Sequence, residues 1–174
     1  MAKKKVGFNL IGLILAVVAI ISVILFACLP MVKSVVKVIS IETTTTYGGF
    51  GMIFGGNANI VITAGNSTTK GTLEDIGFNA IAFIAFLVVV LGAIGQILSV
   101  FVKKAAKCKY SFLASSALVL LGGILMFCVK GGALAALDLT DASDSFVLAV
   151  GPILAGILAC LSGAAGVVLK VLKK

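Results

Sequence analysis

Three regularly spaced aspartates are the residues of this chain whose type and spacing could bind a metal ion. Asp138, Asp141 and Asp144 lie at i, i+3 and i+6, so they would share one face of a short helix. Carboxylate oxygens are ligands that calcium prefers. The segment lacks the glycine-punctuated ligand loop of an EF-hand, which favours a solvated acidic loop as the interpretation. We therefore predict no bound metal, with this triplet as the only metal candidate.

Groups that could support catalysis are scarce. The sequence has no histidine, and its long apolar segments contain no acidic or basic residue. A serine or cysteine nucleophile therefore lacks its ordinary base, and a proton relay lacks the ionisable groups it needs inside a membrane. The sequence predicts a non-enzymatic protein without a cofactor.

The chain has four cysteines. Cys28 and Cys128 lie near the ends of two apolar segments on the same predicted side, and they are the only pair for which a disulfide is geometrically conceivable. Free thiols that pack as small buried hydrophobes are the default interpretation. We therefore predict no disulfide.

Four charge-free apolar runs are the elements that must position these side chains. They cover residues 6–32, 76–102, 110–129 and 145–169, and each is long enough to cross a hydrocarbon core of roughly 30 Å as a helix. The composition agrees, because 61% of the residues are hydrophobic and the mean hydropathy is +1.27. The sequence predicts an all-α membrane protein: a four-transmembrane-helix bundle forming a single domain over residues 1–174.

The distribution of lysine predicts the orientation of these spans. Ten lysines and no acids lie at the termini and in the link 103–109, whereas all six acids lie in the loops 33–75 and 130–144. Lysine-rich short loops stay in the cytoplasm, so we predict a multi-pass protein of the cell membrane with both termini cytoplasmic. The lysines flank helix ends, which favours anionic lipid rather than nucleic acid as their partner. The lack of arginine is typical of a low-GC bacterial source.

The first outer loop has the composition of a small antiparallel sheet. β-Branched residues predict one strand at 34–41 continuing into 43–47, and another at 59–63. The glycine-rich segment 48–56 between them is either a short middle strand or a flexible apolar tip. In an extended tip, Phe50, Met52 and Phe54 would point to one face. With Tyr47 they form a candidate interaction loop, packed either under the sheet or against a partner.

Two spans carry stripes of small or polar residues at helical spacing. One stripe lies in the second span and the other in the fourth. Their members are Gly92, Gly95, Gln96 and Ser99, and Ala155, Ala159, Gly163 and Gly166. Such stripes let helix backbones approach closely. Packing within the bundle is one interpretation, and dimerisation through the fourth span is the alternative.

The predicted plan resembles that of the claudins and the related peripheral myelin proteins, which have inside termini, a long β-rich first outer loop and a shorter second one. The resemblance is one of topology, because the tryptophan and paired-cysteine signature of that family is absent from residues 33–75. It implies a non-enzymatic protein that assembles laterally. We therefore expect the outer loop to mediate assembly into a homo-oligomer or with a larger membrane partner. The alternative is a small transporter, channel or export component whose uncharged conduit is lined by serines, Gln96 and backbone groups.

Overall fold

The computed structural model of the protein describes residues 10–38, 41–64, 67–102, 110–137 and 145–172. Helices and strands follow one another along the chain in these segments. The helices are α1 (Leu10–Cys28), α2 (Gly49–Phe54), α3 (Ala80–Phe101), α4 (Ser111–Phe127), α5 (Val129–Ala136) and α6 (Val150–Leu172). The strands are β1 (Pro30–Val38), β2 (Ile41–Gly48), β3 (Gly56–Ala64), β4 (Ser67–Ile76) and β5 (Phe146–Leu148).

The long helices form a four-helix bundle. α3 packs between α1 and α4, and α6 packs between α4 and α1, so the four helices close a ring. α1, α3 and α6 are each long and apolar enough to cross a membrane, and α4 with α5 would be a fourth span if the bent pair is counted as one. The predicted helical bundle with a small antiparallel sheet is therefore confirmed as an architecture.

α4 and α5 form the bent pair, whose axes differ by 53°. The break lies at Cys128, whose backbone N–H donates to the Leu125 carbonyl at 2.9 Å, one residue short of the α-helical pattern. The neighbouring Gly131 and Gly132 lower the local preference for a straight helix. The third predicted span, 110–129, thus ends at this bend, and the chain continues as α5 along the end of the bundle.

All strands belong to one antiparallel sheet with the order β4-β3-β2-β1-β5. The single strand predicted at 34–47 is wrong: β1 and β2 form a hairpin in which Val36 pairs with Thr43 and Val38 with Ile41. Both strands are rich in β-branched residues, so the composition did not indicate that the segment forms two strands rather than one. β4 was not predicted, because its Ser, Thr, Lys and Gly content is typical of a loop.

β5 comes from the beginning of the fourth predicted span. That span was expected at 145–169, but Phe146–Leu148 pair with Val32, Lys33 and Ser34 of β1, and the helix begins only at Val150. A strand forms here because β1 offers an open edge beside it. The sheet therefore includes a segment from beyond the first loop.

The glycine-rich segment is a helix, α2, so both the middle strand and the flexible tip are wrong. Gly48 is extended (φ −71°, ψ 152°) before the helix, and Gly55 ends it with φ 82°, a conformation that glycine adopts without strain. Gly49 lies against the end of α1, where a Cβ atom would be only 2.7 Å from the Ala27 carbonyl carbon. The helix therefore fits closely against the end of the bundle.

Sheet and bundle are joined with almost no linker. β1 begins two residues after α1, and β5 ends two residues before α6. Backbone hydrogen bonds from Gly49 to Leu29 (3.1 Å) and from Ala149 to Met31 (2.9 Å) fix the junction. Large buried side chains fill the space between the helix ends and the sheet, namely Phe26, Met31, Met52, Ile53 and Met126. We call this end of the bundle the sheet end.

Candidate interaction surface

The sheet has an inner face, defined by Val32, Tyr47, Ala58 and Phe146, which is buried against the sheet end of the bundle. The Tyr47 and Phe146 rings lie 5.9 Å apart. Burial raises the pKa of the Tyr47 phenol above its ordinary value. Tyr47, a candidate of the predicted interaction loop, is therefore a core residue of the sheet.

The inner face continues past the bundle as an exposed apolar surface. Side chains alternate between faces along a strand, so Val36, Ile41 and Ile62 lie on the same face as Val32 and Tyr47. Val36 is 46% exposed, Ile41 47% and Ile62 40%. Val36 and Ile62 flank Thr43 in adjacent strands. We call Val36, Ile41 and Ile62 the distal patch.

The opposite face and the outer edge of the sheet are more polar. Lys33 and Asn59 lie on the opposite face in exposed positions, and Lys70 is exposed on the edge strand β4. A lysine on an edge strand disfavours pairing with another strand. The apolar distal patch is therefore the part of the projecting sheet that is best suited to contact another protein.

α2 separates the three large residues that were expected to share one face. Met52 is fully buried, whereas Phe50 is 63% and Phe54 50% exposed. In a helix, residues four apart lie together and residues two apart do not, which explains this division. The expected common face of Phe50, Met52 and Phe54 is therefore wrong, and only the two phenylalanines are exposed.

The stripe on α3 faces α4. A Cβ atom at Gly92 would lie 2.9 Å from the Val119 backbone nitrogen, and Gly95 is in contact with Ser115. Ser99 donates to the Gly95 carbonyl at 2.7 Å and lies 3.1 Å from the Ser111 hydroxyl. The two backbones thus approach as closely as small residues allow.

Gln96 lies in the middle of this helix contact and is fully buried. Its Nε2 donates to the Ser116 hydroxyl at 3.2 Å, whereas its Oε1 accepts no hydrogen bond from the described residues. Exchanging the two amide positions would leave the nitrogen without that partner instead. The Gln96 amide therefore makes one hydrogen bond across the contact between α3 and α4 and also leaves one buried oxygen there without a hydrogen bond.

We expect Gln96→Leu to raise the free energy of unfolding by about 1 kcal/mol, because the desolvation of an unsatisfied oxygen exceeds the net value of one hydrogen bond. Thermal unfolding in detergent, followed by circular dichroism, measures the change. Ser99→Ala is the matched comparison, since it removes a hydroxyl with a hydrogen-bond acceptor and should lower stability by about 1 kcal/mol. A marked loss of stability in Gln96→Leu would contradict the view that the unsatisfied Oε1 outweighs the hydrogen bond to Ser116.

The stripe on α6 lies inside the bundle, against α1 and α4. The Ala155 carbonyl accepts a hydrogen bond from Ser22 at 2.8 Å. Ala159 packs on Gly123, and a Cβ atom at Gly163 would lie 2.5 Å from the Leu120 nitrogen. Gly166 is similarly close to Ser116. Contacts within the chain occupy this stripe, which leaves it unsuited to dimerisation.

Asn79 is a buried residue that connects three helices and is absent from the candidates predicted from the sequence. Its Oδ1 accepts from the Ala82 N–H at 3.0 Å and caps α3. Its Nδ2 donates to the Val129 carbonyl at 3.1 Å, and its backbone N–H donates to Met52 at 3.1 Å. It therefore joins α2, α3 and the α4–α5 bend. An asparagine directly before an apolar run is the signal that could have identified the cap.

Among the described residues, the structure contains neither a metal site nor a disulfide between the candidate cysteines. Asp138, Asp141 and Asp144 lie outside the described residues, and the described ranges hold no group of three potential metal ligands. Cys28 and Cys128 are free and exposed on the helix surface, so the expectation that these two thiols are buried is wrong.

No family model and no curated protein sequence matches the chain.

Proposed function

We propose that the protein is a multi-pass protein of the cell membrane that acts without catalysis, by assembling through its outer sheet. Each long helix of the bundle has a flank of exposed large apolar side chains, for example Ile14, Leu91, Ile124 and Leu161. Apolar patches of this extent are rare on monomers surrounded by water. Lipid surrounding α1, α3, α4 and α6 accounts for them.

Lysine placement supports an orientation with the sheet outside the cell. Ten lysines without an acid belong to the termini and to the 103–109 link, which connect to the end of the bundle opposite the sheet. Short lysine-rich segments are retained in the cytoplasm. The sheet and its distal patch would then be available to other molecules outside the cell or in the periplasm.

The observation that carries the proposal is the apolar distal patch on a sheet that projects beyond its own core. Val36, Ile41 and Ile62 are exposed although they lie on the core-forming face. Exposed apolar side chains grouped on one face are typical of protein–protein contacts. The occupant would be a second copy of the chain or a larger membrane partner.

The bundle interior favours assembly over a conduit. Its centre is filled by small, fully buried side chains of one contact cluster, namely Ala19, Ala85, Val89, Val119, Ala155 and Ala159. A conduit requires a water-accessible path lined by polar groups or backbone. Serines of the long helices instead hydrogen-bond within the bundle, as Ser22 does to Ala155 and Ser162 to Leu15.

The claudin-like plan offers a parallel for this proposal. The architecture is compatible with a tetraspan topology in which a sheet lies at one end of four helices. The resemblance implies a non-enzymatic adhesion, barrier or accessory subunit that assembles laterally in the membrane. The parallel concerns architecture, and function is not fixed by a fold, so the assembly must be tested directly.

The combined substitution Val36→Lys and Ile62→Lys should dissociate the assembly, because two charges cannot be buried in an apolar contact without partners. The mass of the protein in mild detergent, measured by light scattering, should fall from that of an oligomer or complex to that of one chain. Val35→Lys with Val61→Lys is the matched control, since these valines lie on the same strands but on the opposite face. An assembly that survives the first pair of changes, or a wild type of one chain, contradicts the proposal.

A further inference from the structure

The exposed face of α2 is part of a larger aromatic surface. The Phe54 ring lies 5.5 Å from Phe50, and it meets Phe83 and Phe86 of α3 edge-on at 6.1 and 5.8 Å. Phe78 extends the group, with its ring 5.4 Å from that of Phe83. These five rings, which we call the aromatic surface, form a continuous patch on the side of the protein at the sheet end.

The level of the aromatic surface along α3 is defined by the helix itself. Phe83 and Phe86 lie in the first two turns of α3, roughly 5–10 Å along the axis from its beginning. A helix of 22 residues is about 33 Å long, close to the thickness of a hydrocarbon core. The aromatic surface therefore lies where the apolar core would meet the headgroups on the sheet side.

The chemistry of the aromatic surface fits lipid better than a protein partner. All five members are phenylalanines, whose rings need no hydrogen-bonding partner and can therefore be covered by acyl chains. The surface also continues into the exposed apolar flank of α3, represented by Ile84, Leu87 and Leu91. Below the rings this flank has no acidic or basic residue down to Val102. The same environment must cover both the rings and the flank.

We propose that α2 is an interfacial anchor that inserts Phe50 and Phe54 among the acyl chains of the leaflet on the sheet side. Met52 and Ile53 on its other face hold the helix to the bundle, so the two phenylalanines are presented by a fixed element. The anchor sets the depth of the sheet above the bilayer. This inference rests on the proposed membrane insertion, and it assigns to lipid two residues that the sequence offered as protein contacts.

The protein contains no tryptophan, so Phe54→Trp introduces a single tryptophan, whose emission is excited selectively at wavelengths that the tyrosines do not absorb. The full-length variant is reconstituted in phosphatidylcholine vesicles whose acyl chains are brominated either near the headgroup or near the terminal methyl. Bromine near the headgroup should quench the emission strongly and bromine near the methyl only weakly. Leu91→Trp, halfway along α3, should show the opposite order, and Val36→Trp on the distal patch should be quenched by neither lipid.

Different failures of this experiment have different meanings. If Leu91→Trp is quenched but Phe54→Trp is not, the anchor is wrong and the membrane insertion stands. If neither variant is quenched, the insertion itself is wrong. A protein occupant predicts instead that Phe50→Ser with Phe54→Ser abolishes assembly, whereas a lipid anchor predicts that this variant folds and keeps the assembled mass of the wild type.

Discussion

A cysteine introduced at Ser67 should react with a membrane-impermeant maleimide in intact cells, whereas one introduced at Ala106 should react only after lysis. Both variants are made after the native cysteines have been replaced. Ser67 begins the edge strand β4 and is exposed, so its reactivity depends only on the side of the membrane. Ala106 belongs to the lysine-rich link that is expected in the cytoplasm. The expected difference between the two positions is all or none.

A third variant, Ser116→Cys, controls for nonspecific access of the reagent. Ser116 is fully buried between helices, so a thiol there should stay unlabelled before and after lysis unless the protein is denatured. The reverse labelling pattern at Ser67 and Ala106 would invert the proposed orientation. Reaction of both in intact cells would mean that the number of spans between them is even.

Gly163→Leu should prevent the bundle from forming. Even a Cβ atom at Gly163 would lie 2.5 Å from the Leu120 nitrogen and 2.7 Å from its Cα, and both belong to the backbone of α4, which cannot rotate away. Inserting extra methylene groups into a packed core lowers stability by about 1–3 kcal/mol. The leucine side chain adds several carbon atoms at a position where the α6 and α4 backbones are in contact. The sum is comparable with the whole stability of a domain, about 5–15 kcal/mol.

Size-exclusion chromatography in detergent measures this loss as a fall in the folded, monodisperse fraction. Ala164→Leu is the matched control, since Ala164 is the next residue of α6 and is exposed. That variant should elute like the wild type and keep its thermal midpoint. A folded Gly163→Leu with an unchanged midpoint would show that α6 does not pack on α4 through this stripe.

The helices could be predicted from the sequence because an apolar run long enough to cross a bilayer satisfies its own backbone hydrogen bonds when it forms a helix. The stripe of Gly92, Gly95, Gln96 and Ser99 follows from the helical period alone, and the structure places it against α4. The sequence did not show which helix would face each stripe. That choice depends on shapes that complement each other across the bundle, such as Gly163 against Leu120.

The presence of a small antiparallel sheet could be predicted from the sequence, but the number of its strands and their pairing could not. β-Branched runs indicated strands, but the hairpin at the end of β1, the polar strand β4 and the pairing of β5 with β1 all depend on hydrogen bonds to a neighbouring strand. The conformation of α2 likewise depends on its surroundings, because Gly49 fits only against the end of α1. Isolated glycine-rich sequence favours turns, and tertiary contact outweighed that preference here.

The pairing of β5 with β1 also has a consequence for biogenesis. A chain emerges from the ribosome in sequence order, so in the proposed orientation β1 to β4 would cross the membrane well before β5, which is delivered with the last helix. Until then, the edge of β1 at Val32, Lys33 and Ser34 has no neighbour, and open edges invite pairing with foreign strands. Pairing of Phe146–Leu148 closes that edge. Completion of the sheet would therefore protect the edge of β1 from foreign strands, whereas a stalled chain that lacks β5 would keep this edge open.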